Sequence, residues 1–259
     1  MQFNNIFTIL VLAGAGAEAW YQPTAGTTWD WQLQTPINPT AAVQVYDIDM
    51  FDNTAAVVAD LHNRGKKVIC YVDVGSWENY RSDASKFPAS LLGAKYNGFP
   101  DERWLDIRNI NTTSPLAPIL NARFQLAKDK GCDGVEPDNM DGYDKTAHES
   151  SGFPLTYNDQ IIFNRWVADR VHGLGMAVGL KNDINQVKDL VGNFDFHVSE
   201  QAFQYGEYSF LVPFIQANKP VFEAEYKWKL TQFCPQAIKL NFSSIRKKNS
   251  LDAYREACR

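Results

Sequence analysis

The feature that most constrains this fold is a recurring unit: a short apolar run that ends in a carboxylate or amide, then a polar loop, then a helical segment. In three of these units the helical segment stops at a glycine, namely Gly65, Gly131 and Gly173, as is usual at helix C-termini. Strands that alternate with helices form parallel sheets through right-handed crossovers. Strands are predicted at residues 29–34, 43–49, 67–73, 134–138, 177–182, 196–200 and 220–226, with a weaker one at 242–245.

Eight such units in 259 residues predict a single-domain α/β protein, a (β/α)8 TIM barrel, because that fold needs about 250 residues. The alternative is a doubly wound open sheet, which usually carries a glycine-rich phosphate loop that this sequence lacks. Residues 104–108 predict either an extra strand or the start of a long loop. Helices are predicted at residues 54–64, 115–130 and 158–172, with shorter ones at 185–191 and 209–217.

The N-terminus has the pattern of a secretory signal peptide. Residues 1–19 are largely apolar and close on the small residues Ala17 and Ala19, which predicts cleavage after Ala19 and a folded domain at residues 20–259. No later stretch is long and apolar enough to cross a bilayer. Sequons at Asn111 and Asn241 are the expected glycosylation sites. We therefore expect a secreted, extracellular protein.

The four cysteines are too few for a disulfide scaffold. None of them forms a CxxC pair, which disfavours structural zinc. Cys234 and Cys258 flank the last predicted strand, so in an oxidising compartment we expect them to form a disulfide. Cys70 lies inside an apolar strand and Cys132 just before another. For these two the sequence predicts buried free thiols.

The net charge limits the partners. A formal charge of -5 disfavours nucleic acid and anionic membrane, which clustered Lys and Arg usually bind. A neutral or cationic ligand fits this composition better, and we expect a monomer.

Acidic residues accumulate at the predicted C-terminal strand ends, where parallel barrels build their active sites. Crowded carboxylates cost repulsion and desolvation, so the set as a whole indicates a functional site, although any one acid could instead cap a helix or pair with Lys181 or Arg108. The acids are Asp47, Asp49, Asp73, Glu136, Asp138, Glu200, Glu223 and Glu225.

Three interpretations of these acids compete: divalent metal binding, two-carboxylate hydrolysis and a binding-only pocket. The histidine positions disfavour zinc, whereas a hard metal with oxygen ligands stays open. Glycoside hydrolysis needs one protonated carboxyl and one ionised carboxylate, usually with aromatic platforms for sugar rings. A nucleophilic serine is disfavoured because the GxSxG elbow is missing. Aromatic residues at or beyond strand ends include Trp31, Trp104, Tyr143, Tyr205 and Tyr226.

Residues 131–143, Gly-Cys-Asp-Gly-Val-Glu-Pro-Asp-Asn-Met-Asp-Gly-Tyr, resemble the central motif of glycoside hydrolase family 114, the endo-α-1,4-polygalactosaminidases. The resemblance implies a (β/α)8 barrel that cleaves an α-1,4-linked galactosamine-containing polysaccharide. We expect no cofactor and no metal. The implied catalytic pair is Asp138 from the fourth strand and Glu200 from the sixth. Further blocks resemble the family in order at residues 29–33, 69–77, 104–108, 179–182, 194–201 and 213–226.

By analogy with other α-glycosidase barrels, Asp138 is expected to be the nucleophile and Glu200 the general acid/base, which presumes a retaining outcome. Lys181 is expected to neutralise a buried carboxylate or to hold one ionised. The remaining acids become candidates for pairing with ammonium groups of the sugar. The resemblance and the strand-end positions together predict substrate contacts from Trp31, Asp47, Asp49, Tyr71, Asp73, Trp104, Glu136, Asn139, Asp141, Tyr143, Lys181, Asn182, Gln201, Tyr205, Glu223, Glu225 and Tyr226.

Two alternatives remain at this level. One is a related barrel hydrolase that cleaves another α-linked polysaccharide. The other is a non-catalytic carbohydrate-binding barrel, whose signature would be the loss of one catalytic carboxylate. Both Asp138 and Glu200 are present.

Overall fold

A computed structural model describes residues 20–146 and 149–259, so the predicted signal peptide lies outside the described residues. Twelve strands occur in these two ranges. In chain order they are β1 (Trp29–Gln32), β2 (Val45–Asp49), β3 (Lys67–Asp73), β4 (Ser76–Glu78), β5 (Leu92–Tyr96), β6 (Phe99–Leu105), β7 (Gly134–Asp138), β8 (Ala177–Lys181), β9 (Phe196–Glu200), β10 (Val221–Glu225), β11 (Ser243–Arg246) and β12 (Glu256–Ala257).

The main sheet is the predicted barrel. Its strand order is β1-β2-β3-β7-β8-β9-β10-β11-β12, and the first eight strands pair in parallel. The last strand, β12, runs antiparallel to β11. A hydrogen bond joins β1 to β11, the first and eighth parallel strands: the Trp29 indole N–H donates to the Ser243 backbone carbonyl at 2.7 Å. The (β/α)8 prediction is therefore confirmed.

The helices follow the prediction with two differences. Helix α3 ends at Gly173 as its last residue, and the left-handed backbone that follows the helix falls at Gly175, with φ of +71°. Helix α6 was not predicted, because Pro235 inside it reads as a helix breaker. The helices are α1 (Ala55–Asn63), α2 (Leu116–Lys130), α3 (Tyr157–Gly173), α4 (Val187–Leu190), α5 (Val212–Gln216) and α6 (Leu230–Lys239).

The barrel has two cores. The larger one fills the layer between the sheet and the helices. The smaller one fills the barrel interior with side chains such as Trp29, Ile69, Phe196 and Phe222. Because strand side chains alternate between faces, this inner cluster shows which residues point into the barrel.

A second sheet interrupts the βα pattern between β3 and α2. It is antiparallel, with the order β4-β6-β5, and we call it the hairpin sheet. Strand β6 ends at Leu105, so the ambiguous segment 104–108 is the end of an extra strand followed by a loop. The hairpin sheet starts three residues after β3, which places it at the carboxyl end of the barrel.

Both cysteine pairs are bridged, so the prediction of free thiols at Cys70 and Cys132 is wrong, whereas the predicted Cys234–Cys258 disulfide is confirmed. Strands β3 and β7 are neighbours in the barrel, and their register pairs Cys70 with Val135. Cys132 therefore lies beside Cys70, with 6.0 Å between the two Cα atoms. Their separation of 62 residues hid this proximity in the sequence.

The two sequons occupy different surroundings. Asn111 is exposed in a loop, whereas Asn241 is only partly exposed and its side-chain oxygen accepts a hydrogen bond from Arg259 at 2.8 Å. Within the described ranges, none of the helices is both long and apolar enough to cross a bilayer.

Candidate active site

An open cleft lies at the carboxyl ends of the barrel strands. The cavity measures about 290 Å³, and acidic and aromatic side chains form most of its wall. It is lined by Trp31, Leu33, Tyr71, Tyr96, Phe99, Glu102, Asp138, Asn139, Asp141, Lys181, Asn182, Glu200, Tyr226, Asn249 and Leu251.

Asp138, the last residue of β7, is held as a carboxylate by three donors. Oδ1 accepts from Lys181 Nζ at 2.9 Å and from the Asn139 backbone N–H at 2.8 Å, while Oδ2 accepts from the Tyr71 hydroxyl at 2.8 Å. Burial alone raises the pKa of such a group, but the Lys181 charge and these hydrogen bonds together hold the pKa of Asp138 below its ordinary value. Asp138 is therefore ionised at neutral pH.

Lys181, the last residue of β8, is the cation at the centre of the cleft acids. Its side chain is only 3% exposed, and Nζ lies 2.9 Å from Asp138 Oδ1, 3.1 Å from Glu200 Oε2 and 3.7 Å from Glu136 Oε1. Burial lowers the pKa of a lysine, yet the negative charges of these acids raise the pKa of Lys181 well above its ordinary value. Lys181 therefore stays charged.

Glu200, the last residue of β9, is the more accessible member of the pair, with 31% of its side chain exposed. Its Oε1 is hydrogen-bonded to the Tyr226 hydroxyl. Because one oxygen of Asp138 and one of Glu200 lie 2.9 Å and 3.1 Å from the same Lys181 nitrogen, they are at most about 6 Å apart. The two carboxylates thus face one cavity at a short separation.

The backbone turns sharply after each of these three strands. Asn139, Asn182 and Gln201 directly follow β7, β8 and β9 and have φ of 60°, 48° and 57°. This left-handed backbone is uncommon outside glycine, and asparagine tolerates it best among the common residues. The turns bring side chains back toward the strand ends: the Asn182 oxygen accepts from the Glu200 backbone N–H at 3.1 Å.

The loop after β3 packs closely against the end of β7. A Cβ atom at Gly75 would lie 1.8 Å from the Asn139 carbonyl oxygen, so no other residue fits there. The Asn139 side chain in turn donates to Asp73 Oδ2 at 2.7 Å. This contact fixes the strand end that carries Asp138.

A second acid pair lies below the cleft. Asp47 and Glu136 are fully buried, and the Trp31 indole N–H donates to Glu136 Oε2 at 3.0 Å. Burial raises the pKa of Asp47 to about 7 and the pKa of Glu136 well above its ordinary value. This pair therefore carries a proton at neutral pH, which relieves the repulsion beneath Lys181.

Four other predicted substrate contacts also lie away from the cleft wall. Asp49 pairs with Arg81 through two hydrogen bonds of 3.0 Å and 2.7 Å. Asp73 accepts from the Ser76 backbone N–H at 2.7 Å, at the start of the hairpin sheet. Glu223 and Glu225 alternate with inward-facing residues of β10 and so point outward, away from the barrel interior.

Glu225 has a structural use at that outer position. Its Oε1 accepts the backbone N–H groups of Phe203 and Gln204 at 2.9 Å and 3.0 Å. It thereby anchors the loop that follows Glu200.

Most of the predicted aromatic and amide contacts lie in the cleft or in a second groove beside it, and Tyr143 lies in neither. Trp104, Gln201 and Tyr205 line a second groove that shares Tyr96 with the cleft. Tyr143 instead packs edge-on against Tyr157 with 5.5 Å between ring centroids, outside both regions. The predicted residues that do line the cleft are Trp31, Tyr71, Asp138, Asn139, Asp141, Lys181, Asn182, Glu200 and Tyr226.

Sequence reasoning missed the contribution of the hairpin sheet. Tyr96, Phe99 and Glu102 come from β5 and β6 and line the cleft, although they follow no barrel strand. The Asn97-Gly98 pair, a typical hairpin turn between two short segments, was the available signal for a strand pair here.

A parallel eight-stranded barrel whose carboxyl-end cleft holds two close carboxylates, on the strands β7 and β9 that flank β8, is the architecture of a TIM-barrel glycoside hydrolase. The model of glycoside hydrolase family GH114 matches residues 12–259. The crystal structure of Aspergillus fumigatus Ega3 in complex with galactosamine is 37% identical, with a TM-score of 0.85 over 95% of this chain and 100% of that chain. The chain belongs to glycoside hydrolase family 114.

Two more distant structures share the fold. The glycoside hydrolase domain of PelA from Pseudomonas aeruginosa has 12% identity and a TM-score of 0.66 over 89% of this chain and 97% of that chain. The Thermus thermophilus alpha-galactosidase TtGalA, in complex with stachyose, has 11% identity and a TM-score of 0.59 over 90% of this chain and 63% of that chain. No curated protein matches the sequence.

Proposed function

We propose that this enzyme is a secreted, endo-acting hydrolase of α-1,4-linked galactosamine polysaccharides that works with retention of configuration. The observation that carries the proposal is the Lys181 bridge, which holds the carboxylates of Asp138 and Glu200 close together in one cleft. The galactosamine bound by the 37% identical Ega3 supports the choice of sugar.

Asp138 has the properties of the nucleophile. A nucleophilic carboxylate must be ionised, and Lys181, Tyr71 and the Asn139 N–H stabilise that form. In the first step, the Asp138 carboxylate attacks the anomeric carbon and the glycosidic C–O bond breaks. The result is a glycosyl ester on Asp138.

Glu200 has the properties of the general acid/base. In the first step its carboxyl proton goes to the leaving oxygen. In the second step its carboxylate takes a proton from water, whose oxygen attacks the anomeric carbon and releases Asp138. Its partial exposure gives both the leaving sugar and the water access.

Lys181 couples these two steps through its charge. While Asp138 is ionised, Lys181 Nζ contacts both carboxylates, at 2.9 Å from Asp138 Oδ1 and 3.1 Å from Glu200 Oε2. Once Asp138 is esterified and neutral, the lysine charge faces the carboxylate of Glu200, the base of the second step. The two oxygens that contact Lys181 are at most about 6 Å apart, which accommodates the roughly 5–5.5 Å separation of retaining pairs.

Two further features support the rest of the proposal. A second groove adjoins the cleft at Tyr96, which lines both, and it offers room for a chain beyond the cleavage point, as endo-cleavage requires. Two disulfides fit an oxidising extracellular compartment and the predicted signal peptide.

Substrate assays with the purified enzyme test this function. We expect it to shorten partly deacetylated galactosaminogalactan and α-1,4-galactosamine oligomers, releasing internal fragments that chromatography resolves early in the reaction. Neutral α-linked glucans serve as the control and should stay intact. Cleavage of the neutral polymers without cleavage of galactosamine polymers contradicts the proposed substrate and favours a hydrolase of another α-linked polysaccharide.

A further inference from the structure

The cleft has an excess of negative charge that the catalytic pair does not explain. Its lining includes four acids, Glu102, Asp138, Asp141 and Glu200, and one base, Lys181, which gives a formal charge of -3 when all are ionised. Lys181 contacts both Asp138 and Glu200 directly, whereas it forms no salt bridge to Glu102. In the described part of the chain, Glu102 has no salt-bridge partner at all.

Glu102 is held in place by a hydroxyl group rather than by a cation. Its Oε2 lies 2.9 Å from Ser76 Oγ, and that same hydroxyl lies 2.6 Å from Asp73 Oδ2. The Ser76 hydroxyl has one proton and can donate it to only one of these two carboxylates at a time. Both contacts are hydrogen bonds only if one of the two carboxyl groups is protonated. Burial and the neighbouring charges of Glu78 and Asp138 raise the pKa of Glu102 to about 7.

A chain of hydrogen bonds fixes Glu102 relative to the proposed nucleophile. It runs from Glu102 through Ser76 to Asp73, which accepts the Asn139 side-chain N–H at 2.7 Å. The Asn139 backbone N–H then donates to Asp138 Oδ1 at 2.8 Å. Glu102 is therefore a positioned acid in the cleft wall that lacks a cationic partner.

We propose that Glu102 is a specificity residue that pairs with the ammonium group of a galactosamine unit in the cleft; this inference rests on the proposed function. A deacetylated unit brings a positive charge, and the Glu102 carboxylate can accept a charge-assisted hydrogen bond from it. An N-acetylated unit brings a neutral amide, which supplies no charge to pair with the Glu102 carboxylate. Glu102 thus selects deacetylated over acetylated stretches of the polymer.

A competition experiment tests this selection. Wild type and Glu102→Gln act on a mixture of fully deacetylated and half-acetylated oligomers, and mass spectrometry follows each substrate to give the ratio of their kcat/KM values. Glutamine keeps the size of the side chain and removes its charge. The ratio does not depend on how much of the variant is folded, because both substrates meet the same enzyme molecules.

We expect Glu102→Gln to reduce the preference for the deacetylated oligomer about tenfold or more, chiefly through a higher KM. Glu102→Asp, which keeps the charge on a shorter side chain, should recover part of the preference. The matched control is Asp101→Asn, on the same strand but exposed and bonded to Asn79 at 2.9 Å, and it should leave the ratio unchanged.

The outcomes distinguish the role of Glu102 from the proposed function of the enzyme. If wild type cleaves galactosamine oligomers and Glu102→Gln keeps the wild-type ratio, the role of Glu102 is overturned while the proposed function stands. If wild type cleaves no galactosamine oligomer, the proposed function fails, and the role of Glu102 fails with it.

Discussion

The Asp138→Asn variant should lose hydrolysis of galactosamine oligomers, with kcat falling by a factor on the order of 10⁴ or more. The amide is a poor nucleophile, so the first step has no attacking group. The fold should survive, because the amide oxygen can still accept from Tyr71 or Lys181, two of the donors around Asp138. Initial rates on a defined oligomer, together with thermal unfolding, measure both effects.

The exposed Asp101→Asn variant is the control for the Asp-to-Asn change, and it should retain wild-type kcat. An Asp138→Asn protein that is folded and hydrolyses at more than a tenth of the wild-type rate contradicts the assignment of Asp138. The same contacts set the acid limit of wild-type activity. Since they hold the pKa of Asp138 below its ordinary value of about 3.9, this carboxylate stays ionised until the pH falls below that value.

The Glu200→Gln variant should lose activity on natural polymer by about 10²- to 10⁴-fold, because the leaving oxygen no longer receives a proton. For an oligomer with an activated fluoride or aryl leaving group, the rate of the first step should fall much less, because that group departs without the proton. Hydrolysis of the glycosyl ester should then limit the rate, since no carboxylate activates water. A burst of released leaving group in stopped-flow measurements reports this behaviour.

Added azide distinguishes the roles of the two carboxylates. In Glu200→Gln, azide can attack the glycosyl ester on Asp138 and should give an α-glycosyl azide. In Asp138→Asn, azide can replace the missing nucleophile and should give the β-glycosyl azide directly from an activated α-substrate. An α-azide from Asp138→Asn and a β-azide from Glu200→Gln contradict our assignment of roles.

The barrel was predictable because the sequence pattern of each βα unit lies within one short segment of the chain. Each βα unit has its own apolar run and its own helix stop, so counting units sufficed to find eight parallel strands. The strand ends then placed Asp138, Lys181 and Glu200 in one cleft. The family resemblance, rather than strand position, separated Asp138 from Glu136 two residues earlier, which lies below the cleft.

The directions of Glu223 and Glu225 were not predictable. The strand they occupy is buried on both faces. Its alternation of apolar and acidic residues puts the two glutamates on one face but does not show whether that face is the inner one. Only the packing of Phe222 and Ala224 in the barrel interior shows that the two glutamates face outward.

Glu102 and the Cys70–Cys132 disulfide were missed for a different reason. Both depend on contacts between segments that are distant in sequence. The hairpin sheet interrupts the chain between β3 and β7, which separates the two cysteines by 62 residues and brings Glu102 to the cleft from outside the repeating pattern. Local periodicity carries no information on such contacts.

The central claim is that Asp138 and Glu200 form a retaining pair for α-1,4-linked galactosamine chains. The most direct measurement is proton NMR of the first reducing ends that wild-type enzyme releases from a defined galactosamine oligomer, recorded before mutarotation. We predict that the α-anomer accumulates first and the β-anomer appears later by mutarotation. Initial release of the β-anomer would show inversion, and the role of nucleophile assigned to Asp138 would then be wrong.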